Sequence, residues 1–339
     1  MLRLVDVAEK AGVSVNTVSR VLNNRGYISD ATREKVLKTI EELNYKPNQF
    51  ARNLLKKKTD IVALLIQTIK YDFHAGIISE VEHELHKRGY NLLLCNAERS
   101  AEDESLLLNM LESYRVDGLI ILNYELYPDA YQKLSMPIVS MESYVRDGIP
   151  FVTSNHSKGG ELAANVLIKC GCKNVLQVSG PLDDTKLWNI RHSVFSEIMN
   201  KNHIECKTIT WDVEAFSNDI KGQRRLARDL LEQYPNIDGF FAVDLLAAAM
   251  QYEAQKIGLR VPEDLKIVGY DGTVYSEIGD ITTVSQDLTS LAKSAVETIC
   301  ELISNDGHST HNNSCHDIQH DVELIERKST QCNIPEDNS

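Results

Sequence analysis

Two groups of residues in this chain are of types that recognise other molecules as well as hold a fold. The first lies in residues 5–22, VDVAEKAGVSVNTVSRVL. Here Val15, Asn16, Thr17, Ser19 and Arg20 fall on one outward face of a short helix, while Val18, Val21 and Leu22 turn inward. A small polar face with one arginine near a helix N-terminus suits the major groove of DNA, where Asn reads adenine and Arg reads guanine bidentately. The second group is scattered along the chain: Thr68, Tyr71, Phe73 and His74, then Asn155 and His156, Trp188 and Arg191, Asp244, Asp271 and Gln286. Carboxylates accept hydroxyl protons, a guanidinium donates a rigid fork to adjacent oxygens, and Phe73 or Trp188 supplies a flat apolar surface. That is the chemistry of carbohydrate recognition. The competing readings are plain: a surface helical hairpin for the first group, helix caps and structural ion pairs for the second.

The elements needed to position the first group are legible. Two short helices that cross steeply need a small residue where they meet, here Ala8, and a turn residue tolerant of positive φ, here Gly12. Ser14 stands as N-cap of the second helix. Residues 23–27 form a polar loop. Ser29 then caps a third helix, 31–43, whose stripe Val36, Leu37, Ile40 and Leu43 closes a three-helix core with Tyr45 beneath it. Pro47 disfavours helix in the residue before it, and Asn48 stands where it can cap a short helix over 49–55.

From residue 60 the texture alternates. Strands are expected at 61–66, 91–95, 118–122 and 138–141, with helices at 75–88 and 101–114. A second set runs from helix 159–170 through strand 174–178, helix 191–201, strand 206–211, helix 222–233, strand 239–243 and helix 246–257 to strand 266–270. Helix 288–304 and a last strand, 320–328, complete it. Such alternation means open parallel sheets covered on both faces, in two consecutive lobes with a cleft between them. Ligands of open α/β sheets sit beyond the carboxyl ends of strands, and the second residue group falls at those ends.

Composition narrows the function classes. No apolar run approaches the ~20 residues of a membrane span, and the opening residues do not read as an export signal. Seven scattered cysteines in 339 residues give no disulfide framework. The net charge of −13 is unevenly spread: residues 1–58 hold 12 Lys+Arg against 6 Asp+Glu, and the remainder 24 against 43. A basic head on an acidic body attracts DNA at one end and repels it elsewhere. His308, His311, Cys315 and His316 match no standard zinc spacing, so no metal is expected. No nucleophile elbow, P-loop, HExxH or dinucleotide glycine fingerprint is present. Asp244 and Asp271 could serve as a glycosidase pair, but hydroxyl recognition explains them equally well, so the chain is read as no enzyme and no cofactor is expected. The tail after Thr330 lacks leucine heptads, so no tetramerising coiled coil is expected.

The segment VDVAEKAGVSVNTVSRVLN, followed by TREKVLKTIEELNYKPNQFARNL, resembles the lactose-repressor (LacI/GalR) family of bacterial transcription regulators. NYKPN, VPEDLKIVGYDGT and VELIERKST are similar to the sucrose-operon repressors within it. The resemblance implies a small all-α helix-turn-helix headpiece (1–47), a hinge helix and linker (48–59), and a two-lobe α/β core like periplasmic binding proteins (60–339). One lobe would comprise about 60–158 with 288–318, the other about 159–287 with 319–330. It also implies a cytoplasmic, nucleoid-associated homodimer that represses a carbohydrate operon, binds double-stranded operator DNA and responds to a small, sucrose-like sugar. The alternatives are a transport receptor sharing the two-lobe body, or a regulator using a non-sugar effector or corepressor. DNA contacts are expected from Ser14, Val15, Asn16, Thr17, Ser19, Arg20, Asn23, Tyr27 and Ser29, with Asn48 and Ala51 in the hinge and Leu54 as its minor-groove wedge. Effector contacts are expected from Phe73, His74, Asn155, His156, Trp188, Arg191, Asp244, Asp271 and Gln286. The resemblance makes Arg191 and the aspartate of the GYD motif, Asp271, the most dependable. Asn155-His156, where the family often has Asp-Asn, and Leu245, where a polar residue is common, depart from the pattern.

Overall fold

A computed structural model of the chain describes residues 2–45, 58–97, 101–122 (101–103 by backbone only), 131, 134–180, 186–210, 219–305 and 317–331. The expected hinge residues Asn48, Ala51 and Leu54, and the His/Cys loop residues His308, His311, Cys315 and His316, lie outside the described residues. The chain divides into two compact units, Met1–Thr59 and Asp60–Ser339.

The first unit is a three-helix core made by α1 (Leu4–Ala11), α2 (Val15–Leu22) and α3 (Asp30–Glu42). Gly12 takes φ 61° to close α1, as a turn between crossed helices requires. Ser14 and Ser29 cap α2 and α3 by accepting the amide protons of Thr17 and Thr32. Val7, Ala8, Ala11, Val18, Val21, Val36 and Tyr45 form the core. The α3 stripe differs from expectation: Leu37 is 49% exposed and Thr39 is buried in its place. Thr39 is tolerated there because its hydroxyl donates to the Lys35 carbonyl one turn back.

In the second unit, β1 (Ile61–Ile66), β2 (Asn91–Asn96), β3 (Gly118–Leu122), β4 (Ile138–Met141), β5 (Phe151–Ser154) and β11 (Ile318–His320) form one sheet in the order β11-β5-β4-β3-β1-β2, all pairs parallel. Parallel strands covered on both faces are apolar throughout, which is why IVALLI and GLIIL carry almost no polar residue. Val62, Leu64 and Ile66 face α4 (Asp72–Lys87) and α11 (Leu288–Ser304), while Ala63 and Leu65 face α5 (Ala101–Tyr114). The second sheet has the order β12-β10-β9-β8-β6-β7, from β6 (Asn174–Ser179), β7 (Glu205–Thr210), β8 (Gly239–Phe241), β9 (Lys266–Asp271), β10 (Thr282–Gln286) and β12 (Val322–Ile325). It is covered by α6 (His156–Lys169) and α7 (Ile190–Lys201) on one face and by α8 (Ile220–Gln233) and α9 (Asp244–Lys256) on the other. A short α10 (Val274–Ile278) follows β9.

Several expected boundaries move. β5 was not foreseen, because its four residues FVTS are too few to show a period. α6 begins at His156 and packs within the second lobe, so the chain leaves the first lobe before residue 158. α9 begins at Asp244, not 246, since Asp244 is helical and Val243 is its N-cap. The expected last strand, 320–328, is two strands in different sheets: β11 stays in the first lobe and the antiparallel β12 joins the second. Residues 328–330 form a 3-10 turn instead.

Among the described residues the chain therefore crosses between lobes three times: at Asn155, Asp287 and Asp321. Two crossing residues are also helix caps. Asn155 Oδ1 accepts from Lys158 N at 3.0 Å and Asp287 Oδ1 accepts from Ser290 N at 2.9 Å. Asn155 further donates its backbone N–H to His320 O at 2.7 Å and its side-chain amide to Asp321 Oδ1 at 3.3 Å, stitching two crossings together. Replacing Asn155 by Ala is expected to destabilise the core by about 0.5–2 kcal/mol, the usual worth of an N-cap. Urea denaturation of wild type and Asn155→Ala checks this; an unchanged midpoint would show that water replaces the cap without cost.

Candidate DNA-reading face and ligand cleft

On α2, Val15 (42% exposed), Asn16 and Arg20 point into solvent, and Arg20 pairs with no acid among the described residues. Thr17 and Ser19 are half-buried. The Ser14 hydroxyl is hydrogen-bonded to the Thr17 hydroxyl at 2.8 Å as well as accepting its amide, so both side chains are engaged in starting the helix. Asn23 is engaged at the other end: its side-chain amide donates to Ser19 O at 2.8 Å, closing α2. Ser29 repeats the Ser14 arrangement with Thr32 at the start of α3. Tyr27 is 93% exposed, an aromatic ring with no packing role in its own unit. The side chains left free to read a partner are Val15, Asn16, Arg20 and Tyr27.

The cleft is built mainly on the carboxyl ends of the second sheet. Arg191, in the first turn of α7, is buried, with its guanidinium 4.0 Å above the Tyr270 ring and 5.9 Å from the Trp188 ring. An arginine buried this way needs a π-face, an acid or both. Here it has both, because Asp271 Oδ1 lies 3.8 Å from its Nη1. Asp271 ends β9 with φ 104°, a conformation that L-residues adopt only when the surroundings hold them there. Gln286 donates to the same Oδ1 at 2.8 Å, and its own Oε1 is buried without a partner among the described residues. Burial pushes the Asp271 carboxyl up to about 7, against the pull of Arg191. His192, next to Arg191, is held neutral: burial and the neighbouring guanidinium push it well below the ordinary imidazole range. Its Nδ1 lies 3.1 Å from Gln177 Oε1 and its Nε2 accepts from Arg191 Nε at 3.4 Å.

Other expected contacts are used differently. Asp244 is buried and satisfied: Oδ2 accepts from Thr273 N (2.5 Å) and Thr273 Oγ1 (3.0 Å), and Oδ1 accepts from Thr283 Oγ1 (2.6 Å). Three donors spend its acceptor capacity on tying α9 to the β9–α10 turn and to β10. Burial pushes it up to about 6. Phe73 is a core residue of the first lobe, packed among Ile77, Leu291 and Ala292, so its ring is not a stacking platform. His74 is buried with Nδ1 2.7 Å from Thr68 O, and burial lowers its pKa, leaving a neutral ring edge-on to Tyr71. Asn155 belongs to the crossing described above. The structure thus brings Trp188, Arg191, Asp271 and Gln286 together and turns Phe73, Asn155 and Asp244 to structural work.

Reasoning from sequence missed Tyr270, Glu142, His192 and the buried Ser179 hydroxyl at the end of β6, which has no partner among the described residues. Tyr270 had a signal, since it adjoins Asp271 in GYD. Glu142 had a weaker one, as the charge ending an apolar strand. The pair Gly159-Gly160 also becomes intelligible. A Cβ at 159 would lie 2.4 Å from the Tyr270 hydroxyl, and one at 160 would lie 2.3 Å from Arg191 O. Only glycine lets α6 lie directly against both.

The raised Asp271 carboxyl has a consequence for stability. Its folded pKa exceeds the unfolded 3.8, so the folded chain binds the extra proton between about 4 and 7. That contribution is full below the unfolded value and is lost as pH rises through the folded one. Asp271→Asn, which mimics the neutral acid, is expected to flatten the pH dependence of the unfolding free energy over that window, by up to about 4 kcal/mol relative to wild type, read from denaturant unfolding at a series of pH values. Parallel curves for the two proteins would show that Asp271 ionises in the fold as it does in water.

Residues 3–48 match the family described as bacterial regulatory proteins, lacI family, and residues 164–330 match a periplasmic binding protein-like domain. A ribose operon repressor of Halalkalibacterium halodurans is 36% identical, over 86% of this chain and 87% of its own length. A sucrose operon repressor of Streptococcus mutans is 32% identical, over 89% and 92%. The crystal structure of the lac repressor dimer bound to operator and the anti-inducer ONPF superposes with a TM-score of 0.83, at 25% identity, over 98% of this chain and 99% of that one.

Proposed function

The chain belongs to the lacI family of bacterial regulatory proteins, and from that membership we infer that it is a DNA-binding transcriptional repressor whose operator affinity is controlled by a small sugar. It is not an enzyme; its relatives are repressors. The observation that carries the reading is the presence, in one chain, of two independent recognition surfaces. A basic headpiece offers Val15, Asn16 and Arg20 from a capped helix, and a two-lobe core holds Arg191 against Asp271, Trp188 and Tyr270 at its strand ends. The transport-receptor alternative accounts for the core and leaves the headpiece without a purpose.

Each surface carries assigned roles. Asn16 and Arg20 read base edges, with Val15 against a thymine methyl. Tyr27 and the helix starts capped by Ser14 and Ser29 contact the phosphate backbone, to which helix N-termini are suited. To Asn48, Ala51 and Leu54, outside the described residues, we assign minor-groove contact, with Leu54 as wedge. In the cleft, Asp271 and Gln286 accept and donate to sugar hydroxyls, Arg191 bridges adjacent oxygens, and Trp188 covers the apolar face. The cleft offers one arginine with an acid beside it rather than a basic cluster, which favours a neutral sugar of the ribose or sucrose kind over a phosphorylated one. The protein acts as a homodimer on a near-palindromic operator. Tyr252, Val274 and Ile278, exposed apolar residues on the adjoining α9 and α10, supply a patch that a second copy would cover. Among the described residues no helix is long and apolar enough to cross a membrane, and we place the repressor in the cytoplasm, on DNA.

Selection of duplexes from a random pool by the purified protein is expected to yield a near-palindrome. On it, Arg20→Ala should lose about 1–3 kcal/mol of binding and relax the preference at one base pair per half-site. Unchanged affinity would remove Arg20 as a base reader. A melting-temperature panel with D-ribose, sucrose, D-fructose and their phosphates is expected to identify at least one sugar that stabilises the wild type and leaves Arg191→Ala unmoved. A flat panel would overturn the sugar assignment and turn the search to purines and other corepressors.

A further inference from the structure

A continuous line of buried polar contacts runs from the first lobe into the wall of the cleft. Glu142, directly after β4, is buried in the first lobe at φ 60°. Its Oε1 accepts the Ser154 amide at 2.9 Å and its Oε2 accepts the Thr153 hydroxyl at 3.2 Å, both on β5. The same Oε2 is in close contact with His156 Nε2. His156 opens α6, just past the first crossing, and its Nδ1 is 3.0 Å from the Tyr270 hydroxyl. The Tyr270 ring in turn floors the Arg191 guanidinium. Two left-handed acidic residues, Glu142 and Asp271, stand at the two ends of this line, one per lobe. Backbone strain of this kind persists only where side-chain contacts hold it: Glu142 is held by Thr153, Ser154 and His156, and Asp271 by Gln286 and Arg191.

We propose that Glu142, His156 and Tyr270 form an interlobe latch, with His156 as the positioning residue that transmits occupancy of the Arg191–Asp271 wall to the first lobe. The geometry supports this on two counts. The latch straddles the Asn155 crossing, so any rotation of one lobe on the other must stretch the His156 contact to Glu142 or to Tyr270. The glycine pair leaves no slack on the cleft side, since α6 lies against both Tyr270 and Arg191 with no room for a Cβ. A ligand that draws on Arg191 or Asp271 therefore shifts Tyr270, and Tyr270 acts on β4 and β5 through His156. The charged and titratable groups around the latch are Glu142 from the first lobe and Arg191, His192, Asp271 and Tyr270 from the second. The transmission half of the proposal rests on the sugar-repressor reading; the latch half does not.

Two measurements on the full chain separate them. The first needs no ligand: residue-resolved amide hydrogen exchange of wild type and Tyr270→Phe, which deletes only the hydroxyl. The Ser154 amide, bonded to Glu142, is expected to exchange about tenfold faster in the variant, although it lies in the other lobe. Exchange within about twofold of wild type overturns the latch. The second uses Glu142→Gln, outside the sugar wall, with a selected operator duplex and D-ribose or sucrose at saturation. The ratio of operator Kd with and without sugar is expected to fall from a wild-type value of about 5–150-fold to under about threefold. Faster Ser154 exchange with an intact ratio would show a merely structural contact and overturn the transmission. If neither sugar changes operator binding by the wild type, the sugar reading has failed, and the exchange comparison alone decides the latch.

Discussion

The core depends on how one buried cation is accommodated. Arg191 sits where the strands of the second sheet end, out of water, and a bare guanidinium there would cost several kcal/mol. The Tyr270 ring beneath it and the Asp271 carboxylate beside it offset that cost, and each imposes a further constraint. Tyr270 needs room for its hydroxyl, which Gly159 provides. Asp271 needs an unusual backbone conformation to aim its carboxylate, and Gln286 fixes the oxygen once aimed. His192 must stay neutral so that no second charge competes for the acid. Among the described residues Gln286 Oε1 and the Ser179 hydroxyl find no partner, so a polar ligand of the proposed kind would meet groups already oriented and only partly satisfied. Preorganisation of this kind lowers the cost of binding because the protein has little left to order.

The three crossings give that site mechanical consequences. Each is a single residue between a strand of one sheet and the next element of the other lobe, and Asn155 and Asp287 double as helix caps. A cap at a crossing makes the helix start rigid while leaving the strand end as the place where rotation is absorbed, which suits hinge closure. Outside the crossings the lobes also touch through an isolated bridge between Ser143 and Lys186. Lobe orientation thus depends on a few short contacts near the ligand groups.

The headpiece works by a different physics. Its core of small apolar residues is only large enough to fix three helices, and what it leaves outside is an exposed polar face on α2, two capped helix starts and the local excess of positive charge over residues 1–58. The acidic body enforces the direction of approach. Segregating the charge within one chain makes DNA attraction local even though the whole molecule carries −13.

Local rules were enough for much of this. Gly12, Ser14, Ser29 and the spacing of Val18, Val21 and Leu22 specify crossed, capped helices because turn geometry, capping and helical periodicity are properties of a few neighbouring residues. The apolar runs at β1 and β3 and their alternation with helices likewise specify buried parallel strands and hence the strand ends at which Arg191, Asp271 and Gln286 lie. What sequence could not decide was the direction in which a polar side chain is spent. Asp244 and Asp271 are the same residue at equivalent strand ends, yet Thr273 and Thr283 consume one and a cation takes the other. Phe73 and Trp188 are both aromatic, yet α11 packs over the first and leaves the second beside Arg191. The split of residues 318–325 between two sheets, and the meeting of Glu142, His156 and Tyr270, depend on partners distant in the chain, 166 residues for Ile318 with Val152 and 114 for His156 with Tyr270. Such choices are settled by which surfaces the folded lobes bring within hydrogen-bond reach, and no local pattern encodes that.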